Sequence, residues 1–319
     1  MTSSLSRLKI GTRGSPLALA QATETRRRLI AQHPDLAEPG SVEIVVIRTT
    51  GDRITDRTLA AIGGKGLFTK EIEQALEDGE IDLAVHSMKD VPTILPDGLV
   101  IDCLLPREDP HDALFAPGDG GLDTLPPGAV VGTASLRRQA QLLHARPDLR
   151  VVPFRGNVET RLAKRAAGVV DATILAVAGL RRLGHAGLIT HVMSRDTMLP
   201  AVAQGAVGIE RRAADDRVAD YLAPLNDAAT ATAVTAERAL LAVLDGSCRT
   251  PIAALAELEA GRLRLSGLIA RPDGSELHRL ALDGPAADAA RLGGALGQDL
   301  KGRAGPGFFE QTASEEPAR

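Results

Sequence analysis

Tryptophan is absent from the 319 residues, tyrosine occurs once, and aromatic residues make up only 2% of the chain. Stacking platforms for unpaired bases are therefore scarce, and a net charge of -4 supplies no general basic face, which argues against a nucleic-acid partner. Cysteine occurs only as Cys103 and Cys248, far apart and in segments of different character. They make neither a disulfide framework nor a cysteine-rich zinc site, and no metal is expected. No run of about 18 apolar residues is available to span a membrane. The segment Met1 to Gly14 also lacks the apolar stretch of a secretory signal. The expectation is a soluble chain of the cytoplasm with no membrane partner.

What is present is enough apolar material for a substantial core, 44% of the chain, at a length that suits two or three domains. The first two-thirds alternates short β-branched runs with helical patterns, the signature of βαβ units and an α/β fold with mainly parallel sheets. Leu8-Lys9-Ile10 leads into Gly11-Thr12-Arg13-Gly14, and Ser15-Pro16 supplies an N-cap and first helical position for a helix ending near His33-Pro34. Val42 to Arg48 predicts a strand and Thr69 to Asp78 a helix stopped by Gly79. Ile81 to Val85 predicts another strand, running into His86-Ser87-Met88-Lys89-Asp90. A turn-rich stretch from Pro106 to Gly128 precedes a second set of predicted strands, Ala129 to Gly132, Leu149 to Phe154 and Ala172 to Val177. From about Asn226 a long Ala-rich helix and then alternating strands predict a small α+β domain, and little apolar periodicity is left after Gly305.

In open parallel sheets, ligands sit beyond the carboxyl ends of the strands, where helix N-termini favour anions. Arg13 and Ser15, Thr133, Ser135, Arg137 and Arg138, and Arg155 all fall at such turns, suited to carboxylates or phosphates. Each arginine taken alone is equally well explained as solvated or as closing a helix end; the repetition at equivalent turns points to a ligand with several anionic groups. Asp90 stands where a carboxylate can exchange a proton with substrate, though the position also suits a cap or an ion-pair partner. His86 is the rival proton carrier. Cys248, in a Gly-containing loop beside Arg249, suits a reactive thiolate, or else a small buried side chain. Cys103 fits the second description better. Gly63-Gly64-Lys65-Gly66 lacks the Ser/Thr and glycine spacing of a nucleotide loop and predicts a flexible lid carrying Lys65.

Taken together, these stretches resemble the hydroxymethylbilane synthase, or porphobilinogen deaminase, family of tetrapyrrole biosynthesis. The resemblance lies in an ordered series: Thr12 to Leu19, Gly64 to Phe68, His86 to Pro92, Gly132 to Gln139, Arg155 to Val158, Leu199 to Ala201, Gln204-Gly205-Ala206, Thr235 to Arg238, and Gly246-Ser247-Cys248. It implies a monomeric transferase that joins four porphobilinogen molecules head to tail, releases ammonia at each step, and hydrolyses off linear hydroxymethylbilane. It implies a dipyrromethane cofactor held by a thioether to Cys248, with Asp90 as catalytic aspartate contacting pyrrole N–H groups. Arg13, Ser15, Thr133, Ser135, Arg137, Arg138, Arg155, Arg161 and Arg182 are implied to hold cofactor and substrate carboxylates, with Lys65 and Lys89 adding positive charge. The implied fold has two periplasmic-binding-protein-like lobes, 1–105 with 202–224 and 106–201, and a small C-terminal α+β domain over 225–304 carrying the cofactor cysteine; composition predicts a disordered tail over 305–319. Ala203 departs from the family, where many members have glycine.

Two other readings fit parts of the sequence. A two-lobed binding protein for organic anions explains the arginine turns but normally carries an export signal. A cysteine-nucleophile transferase acting directly through Cys248 would keep that cysteine unmodified.

Overall fold

A computed structural model describes residues 8–53, 66–118, 120–244, 250–305 and 308. Lys65 and Cys248 lie outside the described residues. In chain order the strands are β1 (Leu8–Thr12), β2 (Val42–Val46), β3 (Leu83–Ser87), β4 (Leu99–Leu104), β5 (Asp112–Phe115), β6 (Val130–Gly132), β7 (Arg150–Val152), β8 (Ala172–Ala176), β9 (His191–Val192), β10 (Val207–Arg212), β11 (Ile252–Glu259), β12 (Arg262–Ala270) and β13 (Leu277–Pro285). The helices are α1 (Pro16–Gln32), α2 (Thr50–Arg53), α3 (Lys70–Glu77), α4 (Leu136–Ala145), α5 (Val158–Ala166), α6 (Val177–Arg182), α7 (Asp216–Leu222), α8 (Ala228–Val243) and α9 (Ala289–Ala304).

Two compact units result. Among the described residues the first comprises 8–53, 66–108 and 206–231, and the second 109–205 with 232 onward. The first unit's sheet has the order β2-β1-β3-β10-β4, with β1, β2 and β3 parallel and β10 antiparallel to both its neighbours. The second unit's larger sheet, β7-β6-β8-β5-β9, repeats the arrangement: three parallel strands followed by an antiparallel one, here β5. Two α/β lobes of one topology are therefore present, as the family resemblance implies, with the mainly parallel sheets that the alternating pattern predicts. In each, the antiparallel strand is the first that the chain forms after passing from the other unit.

Burial on both faces explains the near-continuous apolar strands. In the first unit Leu83 and Val85 of β3 join Leu8, Ile10, Ala22 and Leu29 in one core, while Ala84 turns to the opposite face with Ile72 and Leu76 of α3. Cys103 is buried in the first of these cores and its Sγ reaches the Leu222 carbonyl at 3.4 Å. Burial, reinforced by Asp102, pushes its thiol up to about 12, so it is neither exposed nor ionised at neutral pH.

The C-terminal part is a three-stranded antiparallel sheet, β11-β12-β13, counted with the second unit because the two share a core. Ala140 of α4 and Leu199 pack with Ala253, Leu255, Leu268 and Ala270. The β12–β13 turn is seated on α4: Gln139 Nε2 donates to the Pro272 carbonyl at 3.0 Å, and His144 Nδ1 lies 3.0 Å from the Gly274 carbonyl. Gly274 has φ +74°, and a Cβ there would stand 2.5 Å from the His144 backbone nitrogen and 2.8 Å from the Ala140 carbonyl oxygen. Phe308, placed by the sequence in a structureless tail, is buried, with the Arg271 guanidinium 5.1 Å from its ring centroid.

Ala203 is one of two non-glycine residues with positive φ among those described, at +57°. Its N–H is held by Glu237 Oε2 at 2.6 Å, and the other oxygen of that buried carboxylate accepts from Ala256 N at 2.8 Å. The left-handed region costs an L-residue with a Cβ about 1–2 kcal/mol, partly offset by the greater unfolded-state entropy of glycine. Ala203→Gly is accordingly expected to raise the unfolding free energy by about 1 kcal/mol, readable in urea denaturation.

Candidate functional site

In the first unit β1 and β3 are adjacent and parallel, so their carboxyl ends share one edge of the sheet. Ser15 caps α1 there, its Oγ accepting from Ala18 N at 3.3 Å with Pro16 following as the first helical residue. That cap is worth about 1 kcal/mol and leaves the hydroxyl hydrogen able to serve a ligand. Arg13 is half-buried, its guanidinium carbon 4.0 Å from the Phe68 ring centroid. A cation over an aromatic face is held in place by the ring's quadrupole.

At the neighbouring strand end, β3 extends two residues further than Val85, through Ser87, and the chain then makes a 3-10 turn over Met88–Asp90. Ser87 exchanges hydrogen bonds with Gln21 of α1 at 2.9 and 3.1 Å, and Met88 N donates to the Ala206 carbonyl at 3.1 Å. The turn is thus fixed on both sides while Lys89 and Asp90 stay exposed. Asp90 has no hydrogen-bond or ion-pair partner among the described residues. His86, the rival proton carrier, is buried on the other face of the strand with Nε2 2.9 Å from Glu210 Oε2. Asp90 is therefore the accessible acid of this edge.

The second unit gathers its candidates at the carboxyl edge of β6, β7 and β8, which are parallel. Thr133 Oγ1 accepts from Ser135 N at 3.1 Å and Ser135 caps α4. Arg137 and Arg138, expected to present themselves to a ligand, are both buried and folded onto Asp112, each giving one Nη2 to one carboxylate oxygen at 2.7 Å. Their other Nη atoms donate to the carbonyls of Leu199 at 2.7 Å and Ile174 at 2.8 Å. Burial opposes ionisation of Asp112, but the two guanidiniums outweigh it and hold the carboxyl far below the usual carboxylate range.

Positive charge is nonetheless in excess. Arg161 on α5 is brought down to about 10 by burial and by the Arg138 charge, with Asp112 opposing. Two guanidiniums are bonded to the one carboxylate, a third lies within electrostatic reach of it, and Arg155 adds another at the β7 turn. Among the described residues, Arg138 Nε and Arg155 Nη1 are buried without a hydrogen-bond partner. Buried cationic N–H donors left without an acceptor are the complement of a carboxylate ligand. Arg182 of α6 reaches the Gly205 carbonyl at 3.0 Å. No group of three His, Cys, Asp or Glu side chains among the described residues is placed to hold a metal.

Comparisons with known proteins show the family. The family model described as "Porphobilinogen deaminase, dipyromethane cofactor binding domain" matches residues 8–220, and "Porphobilinogen deaminase, C-terminal domain" matches 231–302. The chain belongs to the porphobilinogen deaminase family. It is 59% identical over 303 residues to the porphobilinogen deaminase of Paracoccus denitrificans (strain Pd 1222), covering 95% of this chain and 96% of that one. It is 56% identical over 309 residues to the chloroplastic porphobilinogen deaminase of Oryza sativa subsp. japonica, covering 96% and 86%.

Within this family frame, sequence reasoning missed Asp112 as the hub of the second unit's arginines, and met Gln204 and Glu237 only as parts of short motifs. The signal for Asp112 was thin: it is one of five acidic residues in the turn-rich stretch from Pro106 to Gly128. No helix of the described residues is long and apolar enough to cross a membrane.

Proposed function

We propose that the chain is a hydroxymethylbilane synthase: it condenses four porphobilinogen molecules head to tail with loss of ammonia and releases the linear product by hydrolysis. The observation that carries the reading is the contrast between two carboxylates. Asp112 is spent on arginines in the protein interior, whereas Asp90 is held out, unpaired, at an edge furnished with Arg13, Ser15 and Lys89.

Asp90 is the catalytic residue of this proposal. Its carboxylate accepts from pyrrole N–H groups and offsets the positive charge that develops on the substrate as the amino group of its aminomethyl arm departs as ammonia and the methylene carbon stays on the pyrrole. Arg13, Ser15 and Lys89 in the first unit, Thr133, Ser135, Arg137, Arg138, Arg155, Arg161 and Arg182 in the second, and Lys65 of the loop named from the sequence bind and orient acetate and propionate groups. The unpaired Arg138 Nε and Arg155 Nη1 fit a dipyrromethane, whose side chains are carboxylates of this kind. When bound, that cofactor supplies the pyrrole carbon to which the first substrate unit is joined. We assign its thioether to Cys248, because the only other cysteine, Cys103, is buried and held protonated.

Intact mass under denaturing conditions tests the assignment. The purified chain is expected to carry an added mass of two pyrrole units, absent from a Cys248→Ser variant that is correspondingly inactive. A fully active chain of unmodified mass would overturn the cofactor, and favour direct use of the cysteine.

A further inference from the structure

The segment 199–205 touches the arginine cluster of the second unit at several points, and none of those contacts is with a ligand. Its Leu199 carbonyl accepts from Arg137 Nη1 at 2.7 Å, and its Gly205 carbonyl accepts from Arg182 Nη2 at 3.0 Å. Gln204, 1% exposed, donates Nε2 to Asp112 Oδ1 at 2.9 Å and to the Pro110 carbonyl at 2.7 Å. The Asp112 oxygen that it meets is the one that holds Arg138 Nη2. Behind the segment, Glu237 fixes the peptide of Ala203 in its left-handed turn.

We propose that Gln204 is a positioning residue for anion binding: through Asp112 it sets the planes of Arg137 and Arg138, and so the direction in which the unpaired Arg138 Nε points. A neutral amide suits this place. Asp112 already accepts from two guanidiniums, and its Oδ1 needs a third donor that brings no further charge. A lysine or arginine here would bind Asp112 but compete with Arg138. A carboxylate would repel Asp112 and cancel one positive charge of the cluster. The amide alone completes the shell and leaves the excess charge for the ligand.

The inference rests on the reading of the second unit's arginines as carboxylate binders, so the test includes a control for that reading. Gln204→Met and Gln204→Glu, both close in shape to the native side chain, are compared with Arg161→Met. The readouts are kcat/KM for porphobilinogen per adduct-bearing chain and the adduct-bearing fraction by intact mass, across the pH range in which each variant stays folded. Gln204→Met is expected to lower one of these readouts about tenfold at every pH, the scale of a lost hydrogen bond to a charged group. Gln204→Glu is expected to approach the wild type at low pH, where its carboxyl is neutral and donates O–H to Asp112. It should fall away as pH rises and that group ionises beside Asp112, Arg137 and Arg138. If Gln204→Met does not fold, the pH course of Gln204→Glu decides.

A purely structural role for Gln204 predicts a lowered thermal midpoint with wild-type kcat/KM and adduct, and that outcome overturns the proposal. Should Arg161→Met impair either readout while both Gln204 variants match the wild type at all pH values, positioning by Gln204 alone is refuted. Should Arg161→Met also be silent, the carboxylate-binding reading of the cluster falls with it.

Discussion

Asp90→Asn is expected to lower kcat about a thousandfold, the scale of removing a group that stabilises developing charge, while the chain folds as the parent does. The two halves of that expectation come from one observation. Asp90 is exposed at the end of a short 3-10 turn whose backbone is fixed by Met88 N on the Ala206 carbonyl and, one residue earlier, by Ser87 on Gln21. No fold-stabilising partner among the described residues is lost with its charge, and asparagine preserves shape and a carbonyl acceptor. What is lost is the negative charge opposite the cationic substrate formed as ammonia leaves. Steady-state kcat, with intact mass to show that the adduct is still present and circular dichroism to show the fold, separates the two. A kcat near that of the parent would remove Asp90 from the mechanism.

Asp112→Asn is expected to act in the opposite sense, on stability first. It leaves Arg137 and Arg138 buried side by side with no carboxylate, and breaking a buried ion pair from one side costs about 3–5 kcal/mol. Urea denaturation at neutral pH should show that loss. The pH course gives a second check. Asp112 is held ionised in the fold far below the ordinary carboxylate range, despite its burial, by the two arginines. A depressed folded value contributes stability that is full above the unfolded carboxyl's value, about pH 4, and that is lost as pH falls below it towards the folded value. The gap between wild type and variant should therefore be constant from neutrality down to about pH 4 and narrow below that. A variant within experimental error of the wild type at neutral pH would mean that the arginines relax into solvent at little cost.

The parts of the fold that were legible in the sequence are those written locally. Ser15-Pro16 announces its helix through capping chemistry, and the β-branched runs of β1, β2 and β8 lie where the pattern puts them. The antiparallel strands β5 and β10 were not assigned from sequence, because what makes them strands is pairing with segments far along the chain: Val207 to Arg211 with β3, and Asp112 to Phe115 with β8. The same distinction separates the site residues. Arginines following strands are visible as a repetition, but it is not visible that Arg137 and Arg138 turn towards an aspartate 25 and 26 residues upstream. Nothing local to Asp112 announces that it is the counter-ion. The left-handed backbone at Ala203 was hidden for a related reason: alanine carries no turn signal, and a glutamate 34 residues on holds its N–H.

The seat of the β12–β13 turn on α4 gives the C-terminal sheet a voice in ligand recognition. The helix whose first turn carries Arg137 and Arg138 has its far end pressed against Gly274 so closely that a single methyl group there would collide with helix backbone. Any side chain at that glycine must push α4 or unseat the hairpin, and the guanidiniums at the other end of the helix would be displaced with it. An engineered change in this hairpin, which carries none of the carboxylate-binding residues named above, would then present itself kinetically as a defect of the second unit's arginines.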